Sequence, residues 1–322
     1  MNKIYLENVS YIYGQGTPFE QTALDDVSVG IPAGCITGII GHTGSGKSTM
    51  MQLLNGLDSP MKGKVFLDGY DINSRPEDVT EEWKKLPEYQ NLSKSAAKKA
   101  IRKEVAERRK KLCFRVGLVM QYPEYQLFEE TVFKDIAYGP ANMGLAEDEI
   151  KTRVMEAAEF TGITPDMLDK SPFDLSGGQK RRVALAGVIA MRPEVLVLDE
   201  PAAGLDPRGR DFIFEGICKY QRASGNTVLI VSHSMEDMAR YCDHMIVMAD
   251  GRVQIEGSVE EVFAYVNRLS AVGLDIPQIT QLVGMLRERG LDLPENIYTV
   301  DAAVEAIRSL YDAKRKKNGG AG

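Results

Sequence analysis

The chain has 322 residues, of which 43% are hydrophobic, and its formal net charge is −7. A chain of this length can bury a full core and is expected to hold one large domain with an appendage. The acidic balance gives no general attraction to nucleic acid, so no nucleic-acid partner is expected. No apolar run approaches the ~18 residues of a membrane span, and the N-terminus is too polar for a signal peptide. The sequence therefore predicts a soluble intracellular protein, which could act on a membrane only through a partner.

The N-terminal stretch predicts two paired strands with aromatic residues between them. Residues 3–9 alternate between apolar and polar side chains as a half-buried strand does, and residues 27–31 are typical of its partner. Tyr11, Tyr13 and Phe19 lie between these runs. A flat ring at this place can stack on a nucleobase or simply pack on the sheet. We favour Tyr13 for stacking, with Phe19 and Tyr11 as its competitors.

A phosphate-binding loop follows, with the sequence Gly-His-Thr-Gly-Ser-Gly-Lys-Ser. It matches the pattern G-x-x-x-x-G-K-[ST] at every fixed position, and it lies between an apolar run and a helical pattern, as the motif requires. The glycines let backbone N–H groups point at a phosphate chain, and Lys47 adds a full positive charge. Ser48 offers a hydroxyl to Mg²⁺. The sequence therefore predicts a nucleoside triphosphate site, formed by Gly41, His42, Thr43, Gly44, Ser45, Gly46, Lys47, Ser48 and Thr49.

A charged insertion occupies about residues 75–111. Its second half is basic and is dominated by Ala, Lys, Glu and Arg, so we predict a helix with Ile101, Val105 and Leu112 as a thin apolar stripe. A basic helix can contact lipid headgroups or acidic partner loops, although such a run is more often a solvated face.

A second anion-binding helix start is predicted further along the chain. Helical patterns fill most of residues 131–161, and the run Leu-Ser-Gly-Gly-Gln, residues 175–179, then introduces another helix. Ser176 is suited to cap this helix, and Gly177 and Gly178 leave backbone N–H groups uncovered.

Two buried strands end in ionisable side chains. Residues 195–198 form an apolar run that leads into Asp199 and Glu200, and residues 227–231 repeat this design ahead of His233. The alternation of strands and helices indicates an α/β core with a largely parallel sheet. Because the carboxyl ends of parallel strands open at the ligand site of such sheets, these side chains are expected beside the phosphate loop.

The catalytic roles follow from the chemistry of these groups. Asp199 is the expected Mg²⁺ partner, and Gln121, at the end of another predicted strand over residues 114–121, could ligate the same ion through its carbonyl oxygen. Glu200 can take a proton from an attacking water, and loss of such a base typically costs ~10²–10⁴ in rate. His233 could hydrogen-bond the terminal phosphate or orient the water. The competing interpretations are that Glu200 only caps the segment before Pro201 and that His233 is structural.

The set of motifs resembles the ATP-binding cassette ATPases, in order and spacing, over roughly residues 1–257. The resemblance is carried by the phosphate loop, Gln121, the Leu-Ser-Gly-Gly-Gln signature, Asp199, Glu200, the Ala-Gly-Leu-Asp run that ends at Asp206, and His233. It implies a mostly parallel phosphate-loop core, an antiparallel β-subdomain and a helical signature subdomain over about residues 122–190. It also implies ATP and Mg²⁺ as cofactors and ATP hydrolysis as the reaction.

The resemblance further implies that two cassettes pair head to tail, in a heterodimer with a paralogous cassette or in a homodimer. The signature of each cassette then closes on the ATP held by the other. This arrangement assigns Ser176, Gly177, Gly178 and Gln179 to the nucleotide of the partner chain. Asp206 would lie in the loop that communicates across the pair.

A narrower resemblance is to the energy-coupling factor transporter ATPases, and to the second of their two ATPase types. It is carried by residues 16–20, 120–128, 173–182, 232–237 and 274–294. It implies an ATPase domain, residues 1–257, and a C-terminal helical domain, residues 258–322, with a frayed tail. The charged insertion departs from the usual pattern of the family.

The family implies import of vitamins or transition-metal ions at the cytoplasmic face of the cell membrane. There the ATPase pair drives a transmembrane coupling subunit, which engages a separate substrate-binding membrane protein. The alternative is a cassette without a transporter, acting in DNA repair, translation or cofactor assembly. Only the basic insertion favours it, and the acidic overall charge and the absence of zinc-type cysteine spacing stand against it.

Overall fold

The computed structural model describes residues 2–73, 76–87, 89, 92–265 and 277–319. These residues contain ten β-strands and twelve α-helices. The strands are β1 Asn2–Tyr13, β2 Gln21–Pro32, β3 Ile36–Ile40, β4 Lys62–Leu67, β5 Tyr70–Asp71, β6 Val116–Val119, β7 Val195–Asp199, β8 Thr227–Val231, β9 His244–Ala249 and β10 Arg252–Ser258. The helices are α1 Lys47–Asn55, α2 Pro76–Lys84, α3 Lys94–Arg115, α4 Val132–Asn142, α5 Glu147–Thr161, α6 Pro165–Leu168, α7 Gly177–Ile189, α8 Pro207–Ser224, α9 Met235–Tyr241, α10 Val259–Ala264, α11 Gln278–Glu288 and α12 Val300–Gly319.

The strands form two sheets. The larger sheet has the order β10-β9-β3-β8-β7-β6, in which β9 to β6 run parallel and β10 pairs antiparallel at one edge. Its central strands β3 and β8 are buried along their whole length, as apolar strands covered on both faces must be. The smaller sheet, β2-β1-β4-β5, is antiparallel. The predicted α/β fold, with a mostly parallel core and an antiparallel β-subdomain, is confirmed.

Two apolar cores cover the two faces of the larger sheet. Alternate residues of β7 point to opposite faces, so Leu196 and Leu198 join one core and Val197 joins the other. The first core packs the sheet against α4, α5, α7 and α8, with Phe214 fully buried. The second packs it against α1 and the antiparallel sheet, with Met50 fully buried. Burial of one such side chain stabilises the fold by roughly 1.5–3 kcal/mol. The phosphate loop lies where the two sheets meet α1.

The charged insertion is a pair of helices, α2 and α3. The predicted basic helix is confirmed as α3, but it continues to Arg115, so β6 begins two residues later than the predicted strand start at residue 114. Ile101 and Leu112 of the predicted stripe are buried, whereas Val105 is only half-buried. Leu112 packs beneath Gly56, where an added Cβ would lie 2.6 Å from the leucine Cδ2. This contact attaches the insertion to the end of α1.

Four charged side chains join the end of α3 to the residue before β7. The Glu194 carboxylate accepts hydrogen bonds from Arg115 Nε at 2.7 Å and from Lys3 Nζ at 2.8 Å. Asp68 accepts from the same two cations, at 2.8 Å each. The hydrogen bond from Arg115, opposed by partial burial, lowers the pKa of Glu194 to about 2. The network stabilises the contact between the insertion, the antiparallel sheet and the parallel core.

We expect Glu194→Gln to lower the free energy of unfolding at pH 7 by less than about 1 kcal/mol, because ion pairs this exposed are screened by solvent. The carboxylate has a folded-state pKa below its ordinary value. Its contribution is therefore fully present above pH 4.5 and is lost as the pH falls toward 2. Urea unfolding of both proteins at pH 7 and at about pH 4 measures the difference. A difference that grows on acidification contradicts the assignment.

The C-terminal helices α11 and α12 build a small apolar cluster of their own around Val283 and Ala303. By contrast, Val262 and Phe263 of α10 pack in the first core of the larger sheet. The predicted division after residue 257 stays a prediction. Residues 274–276 of the C-terminal resemblance, and residues 320–322 of the predicted frayed tail, lie outside the described residues. Within the described part of the chain, no helix combines the length and the apolar character needed to cross a membrane.

Candidate nucleotide site

The phosphate loop joins β3 to α1 and is shaped by its glycines. Gly46 has φ +99°, and a Cβ there would lie 2.4 Å from the carbonyl oxygen of Ala23, so only glycine fits. Lys47 is buried, and its Nζ donates to the carbonyl oxygens of Gly41 at 2.7 Å and His42 at 2.9 Å. These bonds hold the ammonium group directly under the loop, where it can meet a phosphate chain.

A cleft of about 430 Å³ opens over the loop, at the carboxyl ends of the parallel strands. Its lining residues are Tyr13, Gln21, Ala23, Thr43, Gly44, Gly46, Lys47, Ser48, Thr49, Gln121, Asp199, Glu200, Val231 and His233. The structure thus brings together side chains from the ends of five strands, β1, β2, β6, β7 and β8, and from the loop. Of the predicted loop residues, Gly41, His42 and Ser45 do not line the cleft. Gln21 was missed, since no motif marks the first residue of β2.

Glu200 begins the turn that follows β7. Its backbone is left-handed, with φ 49°, and its N–H donates to the carbonyl oxygen of Val231 at 2.9 Å. The side chain is only 15% exposed, and Oε1 lies 3.3 Å from Nε2 of His233. That oxygen makes no hydrogen bond to any described residue. A buried carboxylate that lines the cleft beside an imidazole suits a group that accepts a proton.

The cleft shifts the pKa values of four of the ionisable groups that line it, Lys47, Asp199, Glu200 and His233. Burial raises the pKa of Glu200 to about 7; repulsion from Asp199 adds to the rise, and Lys47 opposes it. Burial also raises the pKa of Asp199, again opposed by Lys47. The pKa values of Lys47 and His233 are both lowered by burial. Glu200 is therefore poised near neutral pH, as a general base must be.

Of the three candidate aromatic rings, Tyr13 alone is among the residues that line the cleft. Its hydroxyl lies 3.1 Å from Thr49 Oγ1 on α1, and its ring meets that of Tyr11 edge-on at 4.9 Å. Phe19 is 87% exposed. The choice of Tyr13 over Tyr11 and Phe19 for base stacking stays a prediction, and the geometry favours it.

The signature forms the start of α7 and lies away from the cleft. Ser176 and Gln179 make a capping box: Ser176 Oγ accepts from Gln179 N at 3.4 Å, and Gln179 Oε1 accepts from Ser176 N at 2.9 Å. Gly177 and Gly178 follow at the open helix start. The predicted cap is confirmed, but none of these residues lines the cleft over the phosphate loop. A nucleotide in that cleft and the signature of the same chain are therefore separated.

Asp206 has a local partner. Its carboxylate accepts a hydrogen bond from Gly209 N at 2.9 Å and so caps α8. It too lies outside the lining of the cleft. The role in communication between two cassettes stays a prediction.

The oxygen-bearing side chains of Ser48, Gln121 and Asp199 line one cleft, and such oxygen donors suit Mg²⁺. Among the described residues, no group of three or more His, Cys, Asp or Glu could hold a metal by itself. Magnesium usually keeps several waters and binds through one or two protein oxygens together with substrate phosphates. The donor set fits an ion that arrives with a nucleotide.

The fold and the cleft define a phosphate-loop nucleoside triphosphatase with a separate signature helix. Residues 24–203 match the family of ABC transporters. The energy-coupling factor transporter ATP-binding protein EcfA2 of Caldanaerobacter subterraneus subsp. tengcongensis is 49% identical over 304 residues, which cover 94% of this chain and 96% of that protein. The protein of the same name from Clostridium acetobutylicum is 49% identical over 314 residues, covering 97% of this chain and 99% of that one.

Two solved structures of ATP-binding cassette proteins share the fold of this chain. The structure of cbiO1 from Clostridium perfringens, part of the ABC transporter complex cbiONQ, superposes with a TM-score of 0.67 at 36% identity, over 88% of this chain and 99% of that chain. A dimeric ATP-binding cassette bound to ADP and phosphate superposes with a TM-score of 0.63 at 26% identity, over 80% and 98%. The chain belongs to the ABC transporter ATPases and, within them, to the energy-coupling factor transporter ATP-binding proteins. It is an enzyme that binds and hydrolyses ATP.

Proposed function

We propose that this chain powers an energy-coupling factor importer of vitamins or transition-metal ions, as a peripheral subunit at the cytoplasmic face of the cell membrane. The observation that carries the proposal is the single cleft that groups Lys47, Asp199, Glu200 and His233 around the phosphate loop, in a chain whose relatives are energy-coupling factor ATPases. The alternative, a cassette without a transporter, is not favoured by these relatives.

In the proposed reaction, the loop N–H groups and Lys47 hold the phosphates of ATP, and the ring of Tyr13 stacks on the base. Ser48, Gln121 and Asp199 would hold Mg²⁺, whose charge stabilises the phosphate oxygens when it is bound.

Proton transfer is assigned to two further residues of the cleft, Glu200 and His233. The Glu200 carboxylate takes a proton from the attacking water, because its raised pKa makes it a stronger base than an ordinary carboxylate. His233 is mainly neutral near pH 7, since burial lowers its pKa. Its imidazole can then hold the water or the terminal phosphate by a hydrogen bond.

We propose that the signature acts on the nucleotide of a second cassette. Its capped helix start presents the N–H groups of Gly177 and Gly178 at an exposed surface outside the chain's own cleft. Ser176 and Gln179 complete this surface, and Asp206 lies on the segment that leads into α8. The second cassette is a paralogue in a heterodimer or a second copy of this chain, and the resemblance favours the paralogue.

The surface beside Gln121 carries exposed aromatic residues that are suited to docking a membrane partner. Tyr125, Phe128 and Tyr138 are 84%, 57% and 49% exposed, and the rings of Phe128 and Tyr138 meet edge-on at 4.9 Å. Exposed aromatic residues clustered in this way mark protein interfaces. We propose that the transmembrane coupling subunit docks here, and that this subunit in turn engages the substrate-binding membrane protein.

Co-expression tests the proposal. The chain should co-sediment with membranes only when a coupling subunit and a second cassette are expressed with it, and the membrane complex should hydrolyse ATP. Tight binding to nucleic acid with a steep salt dependence, without any membrane-dependent hydrolysis, would instead favour the cassette that lacks a transporter.

We expect kcat/KM for ATP hydrolysis to fall as the pH is lowered through about 7, approaching tenfold per pH unit. The reason is that Glu200 loses its basic, charged form when it is protonated. Rates measured between about pH 5.5 and 9 define this acid limb, and nucleotide binding measured at the same pH values is the control. A rate that stays constant down to pH 5.5 rejects Glu200 as the base.

A further inference from the structure

Arg181 lies two residues beyond the signature, on the second turn of α7, and is only 4% exposed. A guanidinium buried so deeply needs partners for its charge. Its Nε and Nη2 donate to the two carboxylate oxygens of Glu124 at 3.1 and 2.9 Å. Its Nη1 donates to the carbonyl oxygen of Ala203, and the guanidinium lies 5.8 Å from the ring centroid of Tyr122. One side chain therefore joins three segments of the chain.

Two of these segments adjoin the proposed magnesium ligand Gln121 and the proposed base Glu200. Tyr122 follows Gln121 directly and has a left-handed backbone with φ 56°, and Glu124 lies two residues after Tyr122. Ala203 N donates to the carbonyl oxygen of Glu200 at 3.1 Å, so Ala203 closes the turn that begins at the proposed base. Arg181 itself does not line the cleft. It contacts residues that adjoin Gln121 and Glu200 in the chain, and it does not reach the reacting atoms.

We infer that Arg181 is a positioning residue for hydrolysis, which links the placement of the signature helix to the placement of Gln121 and Glu200. The inference rests on the proposed function, in which the signature engages the ATP of a second cassette. When the start of α7 binds that nucleotide, the hydrogen bonds of Arg181 hold the segment that contains Glu124 and the turn that ends at Ala203 in fixed positions relative to α7. A planar guanidinium is needed, because an ammonium group cannot bond both oxygens of a carboxylate in a fixed plane and a carbonyl as well.

Arg181→Lys tests this inference, because it keeps the positive charge and removes the planar guanidinium with its several N–H donors. We expect kcat to fall by about tenfold or more, while KM and the Kd of ATP for the single chain stay within about twofold. Both proteins are assayed with the second cassette present.

Arg153→Lys is the matched control. Arg153 also gives two N–H groups to a glutamate, Glu149, at 3.0 and 2.6 Å, and a third to a backbone carbonyl, that of Met191, at 3.2 Å. Its side chain is 12% exposed, and it contacts neither Gln121 nor Glu200 through any of these bonds. We expect its kcat to stay within about twofold of the wild-type value.

The outcomes separate positioning from mere stability. A folded Arg181→Lys protein with wild-type kcat overturns the inference, and so does a parallel loss of kcat, ATP affinity and Tm. If the lysine variant does not fold, Glu124→Gln breaks the same pair from the other side and must show the same fall in kcat at constant KM. A wild-type chain that hydrolyses no ATP with any second cassette counts against the proposed function. An active wild type with an unaffected Arg181 variant counts against this inference alone.

Discussion

Replacing Glu200 with Gln is expected to slow ATP turnover by roughly 10²–10⁴-fold while nucleotide binding persists. The amide has nearly the same shape as the carboxyl group but cannot accept the proton of the attacking water. Because Glu200 Oε1 makes no hydrogen bond to a described residue, the substitution removes no hydrogen bond at that atom. The variant should therefore keep the shape of the cleft, bind ATP and accumulate as a closed dimer with the second cassette.

Single-turnover hydrolysis, equilibrium ATP binding and gel filtration with ATP measure these three properties separately. Glu256→Gln, which removes an exposed carboxylate from the edge strand β10, is the matched control and should hydrolyse ATP normally. Hydrolysis by Glu200→Gln at a rate near that of the wild type would show that another group takes the proton.

The same substitution has a consequence for stability whose sign is fixed by the pKa shift. The folded-state pKa of Glu200, about 7, lies above the ordinary value of 4.5, so the folded protein holds this proton more tightly than the unfolded chain does. The charged carboxylate consequently costs stability above pH 7, by roughly 3 kcal/mol, and costs none below pH 4.5. Glu200→Gln should raise Tm at pH 8 more than at pH 5. An equal Tm shift at both pH values would mean that the carboxyl titrates normally.

The second large effect is expected from Gly178→Asp, which should reduce hydrolysis by roughly 10²-fold, a loss comparable to that caused by removing one preorganised donor at a developing charge. In the single chain the substitution is tolerated: an added Cβ meets only Leu205 Cδ2, at an ordinary contact distance of 3.6 Å. In the proposed pair of cassettes, the new carboxylate would face the phosphates held by the partner and repel them. Loss of activity without loss of folding would therefore report the contact between the two chains.

ATP hydrolysis and ATP-driven association are measured with the second cassette present, and Tm and nucleotide binding are measured on the single chain. Gly284→Asp in α11 is the control, because an added Cβ there meets nothing within 4 Å and the residue lies far along the chain from the signature. Full activity of Gly178→Asp, or full activity of a chain diluted until no association is detectable, would remove the basis for a shared site.

Several features of this protein were determined by the sequence itself. The phosphate loop, the capping box at Ser176 and the apolar strand that ends in Asp199 and Glu200 each depend on neighbouring residues. Their backbone conformations and hydrogen bonds involve residues that are only a few positions apart, so the local residue types specify them. The alternation of strands and helices likewise sufficed for the α/β class. The end of α3 was misplaced, because the burial of Leu112 beneath Gly56 is not visible in local propensity.

Only the tertiary structure decided how distant segments meet. It placed Tyr13 rather than Phe19 in the cleft, and it buried Glu200 deeply enough to raise its pKa to about 7. It also turned Arg181, which in the sequence is one cation in a basic run, into a buried link to Glu124, 57 residues earlier in the chain. Burial and charge–charge energies depend on distances between residues that are far apart in sequence, and packing sets those distances.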